Sequence, residues 1–160
     1  GYPETDDLLG ISLEQREKNP AALLDAIKAA PGLGGFRFFN SHDPRVLNIC
    51  LDDPRCAKIV MTRNPVDSFV SLMIARTTGP LILTNATHAK LQQVEFDADA
   101  FAMHMETTQA FQVQVLNTLQ KAGQTAFHLA YEDFQYVDVI NGLATYLEQD
   151  GQVLLRSRMR

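Results

Sequence analysis

The stretch Lys58 to Arg76, KIVMTRNPVDSFVSLMIAR, sets an arginine where a short apolar run stops and a helical pattern begins. A strand ending at Arg63 and a helix starting after Asn64-Pro65 would aim a guanidinium and unpaired first-turn N–H groups into one small volume, which suits a phosphate. Ser71 follows eight residues on, within the helix, and adds a donor if its face turns toward Arg63. A plainer expectation competes with this: Arg63 pairs with Asp67 or Glu132 at a strand end, and Ser71 bonds its own helix backbone. His42, in Ser-His-Asp-Pro, can take a proton near neutral pH and is a candidate general base for a hydroxyl nucleophile. Its duller role is a cap or a surface hydrogen-bonding residue. Tyr131-Glu132-Asp133 brings two carboxylates to a strand end, where such residues more often order loops and cap helices. His88, His104 and His128 have no partner at ligand spacing, so no metal site is expected.

These residues need elements to hold them. Ser12 with Gln15 forms a capping box, and Asn19-Pro20 starts a second helix that Pro31-Gly32 ends, with Leu23, Leu24 and Ile27 on one face. Gly35 to Phe39, GFRFF, reads as a strand. Asp43-Pro44 opens a helix that a second Asp-Pro pair at 53 and 54 closes. Ala57 to Thr62 alternates too little for a half-exposed strand and reads as buried on both faces. Asn64 then caps a helix carrying Val66, Phe69, Val70 and Met73 at helical spacing, which Thr77 to Pro80 ends. The span from Pro80 to Phe96 reads as an irregular excursion. A long helix is expected from Asp97 to Ala122, with Phe101, Met105, Phe111, Val115 and Leu119 as its apolar stripe and Gly123 as its stop. TAFHLAY, from Thr125, reads as another buried strand, and a helix capped by Asp138 runs to Gly151. Strands separated by helices predict an α/β domain with a mainly parallel sheet flanked by helices, and ligands in such sheets collect beyond the strands' carboxyl ends.

A chain of 160 residues fits one domain, expected to span 1–160. Its formal charge of −5, without a basic block, argues against nucleic acid and anionic membranes as partners. No apolar run is long enough to span a bilayer. Two cysteines without ligand spacing suit a reducing cytoplasm and argue against a disulfide scaffold. The motifs G-x-x-x-x-G-K-[ST], G-x-G-x-x-G and G-x-S-x-G are absent, which removes support for an intact NTPase, dinucleotide enzyme or α/β-hydrolase.

KIVMTRNPVDSFVS resembles the signature of PAPS-dependent sulfotransferases, with the nearest likeness to bacterial enzymes of the nodulation-factor and glycolipid type. FFNSHDP is similar to that family's strand ending in Thr-His-x-Pro, and LAYEDF to its Tyr-Glu-Asp-Leu motif, with Phe134 in place of leucine. The three motifs span roughly residues 35 to 134. The resemblance implies a P-loop NTPase-like sulfotransferase fold in which Arg63 and Ser71 contact the 3′-phosphate of PAPS, or of its product PAP, and His42 is the base. The activity it implies is sulfuryl transfer to a hydroxyl of a carbohydrate or other small polar acceptor. A homo-oligomer is compatible with it. Nothing resembling the family's first strand and 5′-phosphosulfate loop precedes Tyr2, so a longer natural protein or a truncated relative is expected. The alternative is a non-catalytic nucleotide-binding or interaction module derived from a sulfotransferase.

Overall fold

A computed structural model describes residues 7–78 and 95–148 of the chain. It divides into two compact units, residues 1–56 and 57–160.

In the first unit, β1 (Asp7–Leu8) and β2 (Ile11–Ser12) pair antiparallel through a two-residue turn. Leu9 and Gly10 both take positive φ there, 55° and 74°, as a hairpin turn that matches strand twist requires. The expected capping box forms at the start of α1 (Leu13–Lys18): Ser12 Oγ accepts the Gln15 N–H at 3.3 Å, and Gln15 Oε1 accepts the Ser12 N–H at 2.8 Å. Pro20, which has no N–H to lose, opens α2 (Pro20–Ala29). Asp43 caps α3 (Pro44–Asp52) by accepting the Arg45 N–H at 2.9 Å. Arg45 also forks back onto the Asp43 carboxylate and donates to the Glu17 carbonyl of α1 at 2.8 Å, tying two helices by one side chain. Leu24, Leu47 and Leu51 are the buried apolar residues among those described in this unit. The expected strand from Gly35 to Phe39 does not form. Among the described residues no strand lies beside that run to pair with it, and Phe36 and Phe39 stay exposed.

The second unit begins with β3 (Ile59–Thr62), followed by α4 (Pro65–Thr78). After residues 79–94 comes α5 (Ala98–Lys121), capped by the Asp97 carboxylate, which accepts the Asp99 and Ala100 N–H groups at 3.0 Å each. Gly123 ends it at φ 63° while the Gln124 N–H reaches back to the Leu119 carbonyl at 2.9 Å, the six-to-one bond of a glycine-terminated helix. Next come β4 (Phe127–Ala130), a 3-10 turn over Tyr131–Gln135, and α6 (Val137–Tyr146). Asp138 lies in the first turn of α6 rather than at its cap, which Tyr136 occupies without a side-chain hydrogen bond. Among the described residues of the second unit, Phe69, Val115, Leu119 and Leu129 are the buried apolar ones. Phe69 is 2% exposed and meets Phe101 edge-on at 5.3 Å and Phe96 at 5.8 Å. Val66 and Val70, expected on the same apolar face, are exposed.

The expected fold class is corrected by these elements. Helix accounts for 62% of the described residues, and their strands form two separate two-stranded sheets. β3 pairs only with β4 among the described residues, parallel, with Ile59 opposite Phe127 and Thr62 opposite Ala130. A two-stranded sheet is not the mainly parallel sheet of an α/β or P-loop NTPase-like sulfotransferase fold, so the family resemblance fails at the level of architecture. The error has a physical source. An unbroken apolar run looks like a doubly buried strand, but burial needs neighbours, and Ile59 and Met61 are 43% and 50% exposed. The expected irregular excursion falls mostly on residues 79–94, and the Gly151 stop beyond 148, outside the described residues. Among the described residues no helix is long and apolar enough to cross a membrane.

Candidate functional site

β3 stops at Thr62 and α4 starts at Pro65, so Arg63 and Asn64 make the whole connection. Asn64 Oδ1 accepts the Val66 N–H at 2.9 Å and the Asp67 N–H at 3.4 Å, and the Asn64 carbonyl accepts the Ser68 N–H at 2.9 Å. Pro65 has no N–H to offer. The first-turn donors expected to face an anion are therefore already taken by the connection itself.

Arg63 does turn toward Ser71. Its Nη1 donates to Ser71 Oγ at 3.1 Å, because eight residues of strand end and helix bring the hydroxyl under the guanidinium. The guanidinium carbon also lies 4.5 Å from the centre of the Tyr131 ring, a cation–π contact. Tyr131 in turn meets Phe134 edge-on at 6.2 Å. These contacts fix the cation between a hydroxyl and an aromatic face. A guanidinium has five N–H donors, and Ser71 occupies one of them. The competing ion pair is not made: no salt bridge joins Arg63 to a carboxylate of the described residues.

Around this side chain opens a cleft of about 480 Å³, lined by Arg63, Asp67, Tyr131, Glu132, Phe134 and Gln135. The sequence pointed to Arg63, Ser71 and the Tyr131–Asp133 strand end; it marked Phe134 only as the residue closing the LAYEDF motif and did not point to Gln135. Both are presented by the 3-10 turn, in which Gln135 Nε2 donates to the Glu132 carbonyl at 3.0 Å. Phe134 carried a signal, a large aromatic directly after two acids and exposed in the fold.

His42 lies in the other unit. Its ring sits edge-on to Phe38 and Phe39, with centroids 5.3 and 5.2 Å away. Nδ1 accepts the Phe39 N–H at 3.3 Å, and the His42 N–H donates to the Phe39 carbonyl at 2.9 Å. In this arrangement the neutral ring carries its proton on Nε2 and spends the Nδ1 lone pair on closing a turn. Among the described residues no group of three or more His, Cys, Asp or Glu is placed to hold a metal ion.

No family model, curated protein or solved structure matches the chain. Sulfuryl transfer from PAPS, and the derived module offered as its alternative, are corrected accordingly. The described residues hold only a two-stranded parallel pair and no phosphate loop, not the larger parallel sheet such chemistry needs, and no relative supports the assignment. The helix tip that was to help hold the 3′-phosphate is capped by Asn64.

Proposed function

We infer that the second unit is a recognition module whose cleft takes a carboxylate-bearing ligand at Arg63. The observation that carries the reading is an arginine held by Ser71 and Tyr131 with no ion pair among the described residues, opening on an aromatic-walled cleft. A carboxylate matches the planar guanidinium fork with two parallel hydrogen bonds. A doubly charged phosphate ester fits less well. Asp67 and Glu132 line the same cleft, so one cation faces two carboxylates, and the α4 amides that would help are occupied. Tyr131 and Phe134 favour an apolar or aromatic body next to the acid group.

Titration of the isotope-labelled chain with phenylacetate, followed by amide NMR, tests this. Shifts are expected at residues 63, 71 and 131–135, and they should vanish in Arg63→Ala. Inorganic phosphate at equal concentration should leave these signals in place. Stronger perturbation by phosphate than by phenylacetate, or an unchanged response in Arg63→Ala, would refute the inference.

A further inference from the structure

The cleft around Arg63 carries charge of both signs, and its acids are as unpaired as its cation. Asp67, in the first turn of α4, and Glu132, in the 3-10 turn after β4, line it together with Arg63. Asp67 is tied to its surroundings through its backbone N–H, which donates to Asn64 Oδ1, and Glu132 through its carbonyl, which accepts from Gln135 Nε2. Among the described residues neither carboxylate forms a hydrogen bond or an ion pair. Three exposed charges thus share one cleft without pairing off, and each is left for solvent or for a ligand.

The balance of these charges selects the ligand. A plain carboxylate satisfies Arg63 and is repelled by Asp67 and Glu132; a plain amine suits the acids and is repelled by Arg63. A molecule with an ammonium as well as a carboxylate answers both signs, each through charge-assisted hydrogen bonds. A divalent cation matches less well, because Arg63 lines the same cleft and, among the described residues, no third His, Cys, Asp or Glu joins the pair to hold one. The volume of about 480 Å³ is that of a small-molecule site. A residue inside a peptide has neither α-group charged, and a residue at a chain end has one, so both charges at this size point to a free amino acid. Arg63 already covers the Tyr131 ring, while Phe134, 44% exposed, offers aromatic surface to the ligand's side chain.

We propose that the cleft binds a free aromatic α-amino acid, its carboxylate on the Arg63 guanidinium, its ammonium on Glu132 and Asp67, and its ring against Phe134. For the carboxylate contact the proposal rests on the function inferred for Arg63; the ammonium contact is carried by the two unpaired acids.

Three ligands that share a benzyl group on one carbon separate the two contacts: 3-phenylpropionate keeps the carboxylate, phenethylamine keeps the ammonium, and L-phenylalanine has both. Each is titrated into the intact chain at pH 7, and affinities are taken from the amide shifts of residues 63, 71 and 131–135. L-Phenylalanine is expected to bind at least about threefold more tightly than 3-phenylpropionate, the gain that exposed ion pairs give. Glu132→Gln should narrow that gap, and adding Asp67→Asn should erase it. Both side chains are exposed, and unchanged amide signals in α5 and α6 will show that the variants fold. An affinity for L-phenylalanine no higher than for 3-phenylpropionate in the native chain overturns the proposal. So does a gap that survives in the folded double variant. If 3-phenylpropionate binds and L-phenylalanine gains nothing, the amino-acid proposal fails and the carboxylate cleft stands. If L-phenylalanine binds no better than phenethylamine and Arg63→Ala binds both as the native chain does, the proposal and the carboxylate cleft fail together.

Discussion

Tyr146→Phe should loosen the start of both strands in the second unit without disturbing the packing of the ring. The Tyr146 hydroxyl accepts the Lys58 N–H at 3.2 Å and lies 3.2 and 3.4 Å from the carbonyls of Lys58 and Thr125, where its single proton is shared. Lys58 immediately precedes β3, and Thr125 lies just before β4, so one hydroxyl of α6 ties the two strand entrances together. The ring itself packs on Phe127 at 5.6 Å and is kept in the phenylalanine variant. Losing the hydroxyl removes one net hydrogen bond, about 0.5–1.5 kcal/mol, and strips a part-buried N–H of this acceptor, for a total of about 1–3 kcal/mol. In exchange rates that is roughly five- to a hundredfold. Amide hydrogen exchange at Val60 and Leu129, which the register places in the β3–β4 ladder, reads it directly. The expected result is faster exchange at these two amides and little change in α2 and α3, which belong to the first unit. Exchange at Val60 and Leu129 within twofold of the native chain would show that the hydroxyl does not hold the strands, and the reasoning would fall.

Phe69→Ala empties the aromatic cluster with Phe96, Phe101 and His104, and should cost the second unit about 3–5 kcal/mol, read as a fall in its urea midpoint. Asp53 accepts Lys28 Nζ at 2.8 Å and the Arg55 N–H at 2.9 Å, and the lysine hydrogen bond foremost holds its carboxyl well below the usual carboxylate range. A depressed folded pKa contributes stability that is present above the unfolded value, about 3.9, and is lost as pH falls toward the folded one. Urea midpoints of the first unit should therefore decline below about pH 4, and Asp53→Asn should lower stability at pH 7 while flattening that acid limb. An unchanged acid limb in the variant would place the pH dependence elsewhere.

Local chemistry is readable wherever neighbours in sequence supply both partners. The Ser12–Gln15 box, the proline starts of α2 and α3 and the Gly123 stop each form as expected, because a cap bonds backbone within four or five residues of itself. For Arg63 and Ser71 the sequence left two outcomes open, a hydroxyl turned toward the guanidinium or one bonded to its own helix backbone, and the fold takes the first. The same local logic misjudges the helix tip. Asn64 is legible as a cap, yet an anion site at the same tip would need the Val66 and Asp67 N–H groups that this cap consumes. GFRFF fails for a different reason: aromatic composition favours a strand only where another strand is available, and here Phe38 and Phe39 pack on His42 instead.

By itself the chain's order of residues determined where most helices begin and end and which cation stands between β3 and α4. Only the tertiary structure decided that β3 pairs with β4, and that Tyr131 and Phe134 wall the space around Arg63. The reason is range. Helix ends are settled by hydrogen bonds a few residues long, whereas the Arg63–Tyr131 contact and the Ile59–Phe127 register each join residues 68 apart in the chain. No pattern of neighbouring side chains reports whether such distant partners will meet.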